Sequence, residues 1–354
     1  MIPRHEIERI VNGYDPDQLT IATVGSHTAL QILKGARDEG FRNLVICKRG
    51  TEAVYEHFGV ADELLTVDRY DDLLGKQLQE ELVKRNVILI PHGSFVEYLS
   101  PQRIEDELVV PLFGNRTVLD WESDRAKERR WLAQAGLRLP VEFTSPEEID
   151  RLVMVKFPGA KGGKGYFLAR TPEEFRQKHE RLALSDKARF TIQEFVIGTR
   201  FYPHYFYSPL TGRLELLSMD IRYESNVDGL ARLGSLFAES VPEPSFVVTG
   251  NIPVVVRESL LAQILAMGQQ VVRASQALFS PGLIGPFCIE TICTDELSFV
   301  AFEISARIVA GTNLYINGSP YSQLLYREPM STGRRIAREL KEARSADALV
   351  DVVY

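Results

Sequence analysis

Two glutamates thirteen positions apart carry the strongest chemical signal in this chain. Glu290 lies in the apolar run PFCIETIC (286–293) and Glu303 in LSFVAFEISARI (297–308). A carboxylate set between Ile and Thr, or between Phe and Ile, is costly to bury unless a cation or hydrogen bonds compensate it. Facing each other on neighbouring strands, the two would repel unless a divalent ion sat between them. Such oxygen ligands suit Mg²⁺ held against phosphates. Spacing alone also allows a plainer reading, two solvent-facing strand residues. Arg307 and Asn313 follow closely and bring anion-binding groups to the same place. Upstream, PGAKGGKG (158–165) joins LVMVKF (152–157) to YFLAR (166–170). Gly162, Gly163 and Gly165 let backbone N–H groups approach closely, and Lys156, Lys161 and Lys164 bring positive charge. This is not a Walker loop, because Pro158 stands where the first Gly belongs and Gly165 where Ser or Thr belongs. Its alternative is a solvated hairpin tip. A third cluster comprises Gly25-Ser26-His27 after LTIATV (19–24) and His92-Gly93-Ser94 after VILIP (87–91). GSHTAL lacks the later glycines of a dinucleotide fingerprint. Ser26 reads either as a helix cap or as part of an anion site at the helix start.

These groups need a frame. Residues 18–113 alternate Val/Ile/Leu-rich strands with helical segments, including 71–86 as one helix and ELVVPLFG (107–114) as a last strand. That pattern specifies a doubly wound α/β domain, whose ligands bind beyond the carboxyl ends of the strands. Ser123 opens a further helix through DRAKERRWLAQAG. FTIQEFVIG (190–198), FYPHYFYS (201–208), LELLSMDIRYESN (214–226) and SFVVTGNIPVVV (245–256) read as antiparallel strands, and residues 259–279 as the longest helix. The second half is therefore α+β. The aromatic run from Phe201 to Tyr207 reads as core, and the RRIAREL helix as solvated. The 354 residues carry a net charge of −7, which disfavours nucleic acid as a partner. No apolar stretch approaches the roughly 18 residues of a membrane span, and the amino terminus lacks the apolar core of a secretion signal. Three cysteines make neither a disulfide framework nor a zinc site. A cytoplasmic location is the expectation.

A Gly-rich hairpin after a VK strand, an E-F-V strand, and two strand glutamates ending in E-x-S-x-R resemble the ATP-grasp superfamily. More closely, GSHTALQILKGA, PHGSF, PLFGNR, LDWESDR, VKFPGAKGGKGYF, HYFYSP, RYESN, TGNIPVVVRESLL, GPFC and FEISAR resemble one family across nearly the whole chain. It is the archaeal formate-dependent ligase family that formylates 5-aminoimidazole-4-carboxamide ribonucleotide (AICAR) to FAICAR in purine biosynthesis. The resemblance implies an α/β domain over 1–122 and an ATP-grasp region over 123–354. That region divides into a small nucleotide-lid subdomain over about 140–200 and a larger antiparallel subdomain over about 201–354. It implies AICAR contacts from His27, Ser94 and Asn251; the chemistry of such a ligase gives catalytic roles to Arg307, neutralising phosphate charge, and to His27, chiefly positioning AICAR. It implies ATP contacts from Lys156, Gly162, Gly163, Lys164, Gln193, Glu194, Phe195, Val196 and Glu224. Mg²⁺ or Mn²⁺ falls to Glu290 and Glu303, and the assembly is a homo-oligomer, trimer or hexamer. Two departures stand out. Ser305 occupies the Asn position of the superfamily's E-x-N-x-R, and Val309-Ala310-Gly311-Thr312-Asn313 stands where some members read Asp-Gly-Gly-Thr-Asn. Another ATP-grasp carboxylate–amine ligase, or a non-catalytic purine-nucleotide-binding paralogue, would carry much of the same pattern.

Overall fold

The structure, a computed structural model, describes residues 1–157, 165–181, 190–232 and 244–354. Gly162, Gly163 and Lys164, the expected phosphate loop, lie outside the described residues, as does Lys161. Strands β1 (Thr20–Val24), β2 (Arg42–Lys48), β3 (Glu63–Val67) and β4 (Val87–Leu89) form a parallel sheet in the order β3-β2-β1-β4. Successive side chains point to opposite faces. Leu44 and Ile46 of β2 accordingly enter one core, while Val45 and Cys47 pack on Ala29 and Leu33 of the helix Ala29–Asp38. Both faces are covered, which is why these strands read as continuous apolar runs.

Three local expectations fail for identifiable reasons. ELVVPLFG is not a strand: Glu107 ends the helix Pro101–Glu107, and beyond it only isolated bridges form, Leu112 with Leu89 and both Phe113 and Gly114 with Val353. Pro111 has no N–H to donate, although its carbonyl still accepts from Leu89 at 2.9 Å. The 71–86 helix is broken at Gly75, whose extended φ of −69° and ψ of 131° separate a 3₁₀ turn (Tyr70–Leu74) from the helix Lys76–Lys84. Asp124, not Ser123, caps the helix Arg125–Gln134 by accepting from the N–H groups of Ala126 and Lys127.

Strands β5 (Glu142–Phe143), β6 (Val153–Lys156), β7 (Tyr166–Ala169) and β8 (Thr191–Glu194) make a small antiparallel sheet in the order β5-β8-β6-β7. The larger sheet runs β11-β10-β9-β12-β13, where β9 is Thr199–Ser208, β10 is Arg213–Asn226, β11 is Phe246–Pro253, β12 is Gly285–Cys293 and β13 is Phe299–Ser305. The aromatic run of β9 is core as expected, with Tyr202, Tyr205 and Phe206 buried. One apolar cluster continues from Val24 and Phe95 through Trp131 to Val271 and Ile289, so the parallel and five-stranded sheets share a core. Trp131 bridges them and donates its indole N–H to the Val271 carbonyl of the helix Glu258–Leu278 at 3.0 Å. No described helix is long and apolar enough to cross a membrane.

The helix Thr332–Ser345 is not solvated. Arg335 and Glu339 are buried, with Arg335 paired to Glu215 at 3.0 Å and to Glu339 at 2.8 Å, while Ser208 donates to Glu339 at 2.6 Å. The helix packs on Ala29–Asp38 so closely that a side chain at Gly35 would meet the Arg334 nitrogen at 2.3 Å.

Candidate active site

The small sheet, the five-stranded sheet and the segment that follows β4 line one cleft of about 630 Å³. The pairing of β12 with β13 places Glu290 directly opposite Glu303, with an irregularity immediately beyond them. Glu290 is buried and divides its two oxygens: Oε1 accepts from Arg222 Nη2, while Oε2 is buried without a partner among the described residues. Glu303 faces the open cleft, so water moderates its burial. Its pKa is pushed up to about 7, first by the charge of Glu290 and then by burial, against the pull of Arg222, Lys156 and Arg307. An orphaned buried carboxylate oxygen beside a second carboxyl that resists ionisation is a set that fits a divalent cation. Among the described residues no three His, Cys, Asp or Glu side chains form a closed cage. A cation here would therefore complete its shell from a bound phosphate chain or water.

Two further carboxylates, absent from the sequence reading, back this pair. Glu122 lies 3.2 Å from Arg307 Nε through Oε1 and accepts from the Ala306 N–H through Oε2. The Arg307 Nε–H is not aimed at that oxygen, so the contact is an ion pair without a directed hydrogen bond. Glu128 accepts from the Ile304 N–H at 2.6 Å, and its pKa is raised strongly by burial and then by Glu303.

At the nucleotide end, Lys156 donates to Gln193 Oε1 at 2.7 Å across the β6–β8 pair, and its pKa is lowered by burial and then by Arg125. Glu194 lines the cleft, but its carboxylate accepts from the Val141 N–H at 3.0 Å, while its own N–H donates to the Val141 carbonyl at 2.7 Å. Phe195 N–H donates to Leu152 at 2.9 Å, and Val196, past the ladder, also lines the cleft. Glu224 accepts from Arg200, whose guanidinium lies 4.6 Å from the Phe246 ring centre. Burial raises the Glu224 pKa, against the pull of Arg200.

The third cluster adjoins the cleft at the carboxyl ends of β1 and β4. Gly93 links the two: a side chain there would stand 2.9 Å from His27 Nε2 and 3.5 Å from Arg307 Cζ. His27 stacks on His92 with ring centres 5.3 Å apart, and its φ of +54° is left-handed. Surrounding protein atoms, then His92 and Arg307, lower its pKa; the residue is also open to solvent, which moderates the burial, and the neighbouring Arg307 charge favours the neutral imidazole. Ser26 is no cap. Its hydroxyl donates to Ser94 at 3.1 Å and lies 3.2 Å from Tyr98 Oη, while Thr28 occupies the cap position. Asn313 sits at this end rather than among phosphate ligands: Nδ2 donates to the His27 carbonyl at 3.0 Å, and Oδ1 accepts from Gln31 at 2.8 Å. Gly311, two residues earlier, abuts Asp220, which accepts from Asn251 Nδ2 at 2.7 Å and from His204 Nε2 at 2.8 Å. The segment that departs from the family pattern thus ties His27 to Asn251.

The Glu303 shift fixes a pH dependence. The folded carboxyl keeps its proton to about pH 7, against an ordinary value of 4.5, so the folded state binds the extra proton between these limits. This contribution to stability is complete below the ordinary pKa and is lost as pH rises through the folded one. The cation-free protein should lose more melting temperature between pH 5 and pH 8 than Glu303→Gln does. Mg²⁺ or Mn²⁺ should raise the wild-type value more at pH 8 than at pH 6, read by thermal-shift fluorimetry. Equal pH slopes in the two proteins would overturn the shift.

The chain is similar to proteins of known family and fold. Residues 21–143 match the family described as "Protein of unknown function (DUF1246)" and residues 172–354 match "Domain of unknown function (DUF1297)". The 5-formaminoimidazole-4-carboxamide-1-(beta)-D-ribofuranosyl 5'-monophosphate synthetase of Methanopyrus kandleri is 51% identical over 360 residues, covering 100% of both chains. The crystal structure of an IMP biosynthesis protein, PurP, from Thermococcus kodakaraensis superposes with a TM-score of 0.76 at 31% identity, over 94% of this chain and 100% of that one. The ADP complex of N5-carboxyaminoimidazole ribonucleotide synthetase shares the fold, with a TM-score of 0.64 at 14% identity over 92% of this chain and 77% of that one.

Proposed function

This chain belongs to the 5-formaminoimidazole-4-carboxamide ribonucleotide synthetase family, and from that premise we propose that its cleft joins formate to the 5-amino group of AICAR using ATP. The observation that carries the proposal is the Glu290–Glu303 pair, with its orphaned oxygen, lining a nucleotide-sized pocket that also reaches Gly93, against which His27 stands. Formate is a poor acyl donor because oxide is a poor leaving group. A formate oxygen attacks the γ-phosphorus, the bond to the ADP oxygen breaks, and formyl phosphate forms. The amine nitrogen then attacks the formyl carbon, the C–O bond to phosphate breaks, and the amine proton leaves with phosphate or water. When bound by Glu290 and Glu303, Mg²⁺ or Mn²⁺ supplies charge neutralisation on the phosphate chain.

The protein's own part is positioning and electrostatics. Lys156 and Arg307 neutralise developing charge, and the family resemblance implies contacts from Gly162, Gly163 and Lys164 to the phosphate chain. Gln193 and the Glu194–Val196 backbone meet the adenine, and Glu224 meets the ribose. His27 and Ser94, with Asn251, hold AICAR; a neutral imidazole orients the amine without repelling the cationic groups around it. The same reading carries a trimeric or hexameric assembly and a cytoplasmic location.

ADP release measured with formate and AICAR each omitted in turn tests the assignment. Release that needs formate, with FAICAR formed only when AICAR is added, is expected. Release driven equally by another carboxylate would move the chain to a different carboxylate–amine ligase, and tight nucleotide binding without any release would make it a sensor.

A further inference from the structure

One face of β10 carries three polar side chains at alternate positions, each tied to a different neighbour, and the last two line the cleft. Asp220 accepts from Asn251, Arg222 donates to Glu290, and Glu224 accepts from Arg200. At roughly 3.3 Å per residue these stations stand about 7 Å apart. The order along the strand is thus the acceptor side, a middle point, and the nucleotide side. In the reaction proposed above, formate must occupy a middle point, because one of its oxygens attacks phosphorus and its carbon is later attacked by the amine.

We propose that Arg222 is the formate-binding residue, its guanidinium presenting a two-pronged edge to the carboxylate between the Glu290–Glu303 pair and Asn251; the assignment rests on the reading of the cleft as a formate-dependent ligase. Arg222 is paired with Asn251 in the β10–β11 register and lines the cleft. Its guanidinium lies 4.2 Å from the centre of the buried Tyr202 ring, which fixes the plane of the fork. Among the described residues the guanidinium's one hydrogen bond runs from Nη2 to Glu290, which leaves the second Nη2 hydrogen, beside that of Nη1 or Nε, to form a two-pronged edge. Formate has one carbon and no apolar surface to bury. Its binding energy must come from charge and paired hydrogen bonds; arginine supplies both, and lysine only the charge.

The competing role for Arg222 is neutralisation of Glu290 alone, and Arg222→Lys separates the two because it keeps the charge. With Arg222→Lys the formate KM should rise roughly 10- to 100-fold, the loss expected when a charged bidentate contact is reduced to a single one. The KM values for ATP and AICAR should stay within about threefold. An unchanged formate KM would overturn the assignment. A measurement on the wild-type enzyme does not depend on how the variant folds. At fixed ATP-analogue concentration, formate should shield Arg222 from phenylglyoxal, read by peptide mass spectrometry, and lack of shielding would also overturn it. Wild-type enzyme that releases no ADP with formate would instead refute the ligase reading itself, so the two failures are distinguishable.

Discussion

Glu290→Gln and Glu303→Gln should each lower formate-dependent ADP release by about 10³-fold, the scale of losing a principal electrostatic stabiliser of phosphoryl transfer. Neither change should unfold the protein. A glutamine at 290 keeps an amide oxygen for Arg222 Nη2, so the strongest contact of the buried side chain survives without its charge. A glutamine at 303 removes the repulsion that pushes that carboxyl up to about 7, and the cation-free variant should be no less stable than wild type at pH 8. What both variants lose is a pair of negative oxygens opposed across β12 and β13. Release assays, together with Mg²⁺- or Mn²⁺-induced thermal shifts, make the measurement, and the cation-induced shift should vanish with the activity. Full activity in either variant would remove the metal assignment. A preserved thermal shift with lost activity would move these carboxylates from cation binding to another task in the same cleft.

The parts of this site legible in the sequence were those whose signal is local. Glu290 and Glu303 stood out because each interrupts an apolar strand, and the parallel sheet was readable because both of its faces are covered. What escaped the reading depends on contacts between distant segments. Arg335 and Glu339 look like an ordinary solvated pair four residues apart on a helix; they are buried because Glu215 reaches them from β10. Asn313 looked like a phosphate ligand by nearness to Arg307 in the chain, yet its side chain holds the left-handed turn at His27, a residue from the first strand–helix junction. Some missed residues did leave a trace. Glu128 lies three and four positions before the buried Trp131 and Leu132, so a carboxylate stood on the apolar face of its helix. Arg222 stands two positions before Glu224, and strand alternation alone puts both on one face. Glu122 left none, since its role exists only where Arg307 meets it.

That dependence makes Arg307 the second sensitive point. Arg307→Lys should lower the turnover number about 10²- to 10³-fold, with ATP and AICAR affinities much less affected. Arg307 lies 3.2 Å from Glu122 and lines the cleft, and a side chain at Gly93 would meet both it and His27, so its guanidinium sits where the nucleotide end and the His27 cluster meet. Glu122 is buried and anchored by the Ala306 N–H, one residue before Arg307, so carboxylate and guanidinium are held by the same stretch of backbone. A lysine can still neutralise Glu122, which prevents an uncompensated buried carboxylate from unfolding the region, but it cannot span from Glu122 to a phosphate with a rigid planar group. Single-turnover ADP formation is the informative measurement. A slow chemical step with near-normal substrate binding places Arg307 on the transferring phosphoryl group. A raised ATP KM with unchanged single-turnover rate would place it on ground-state binding only and return the transition-state charge to Lys156 and the residues around it.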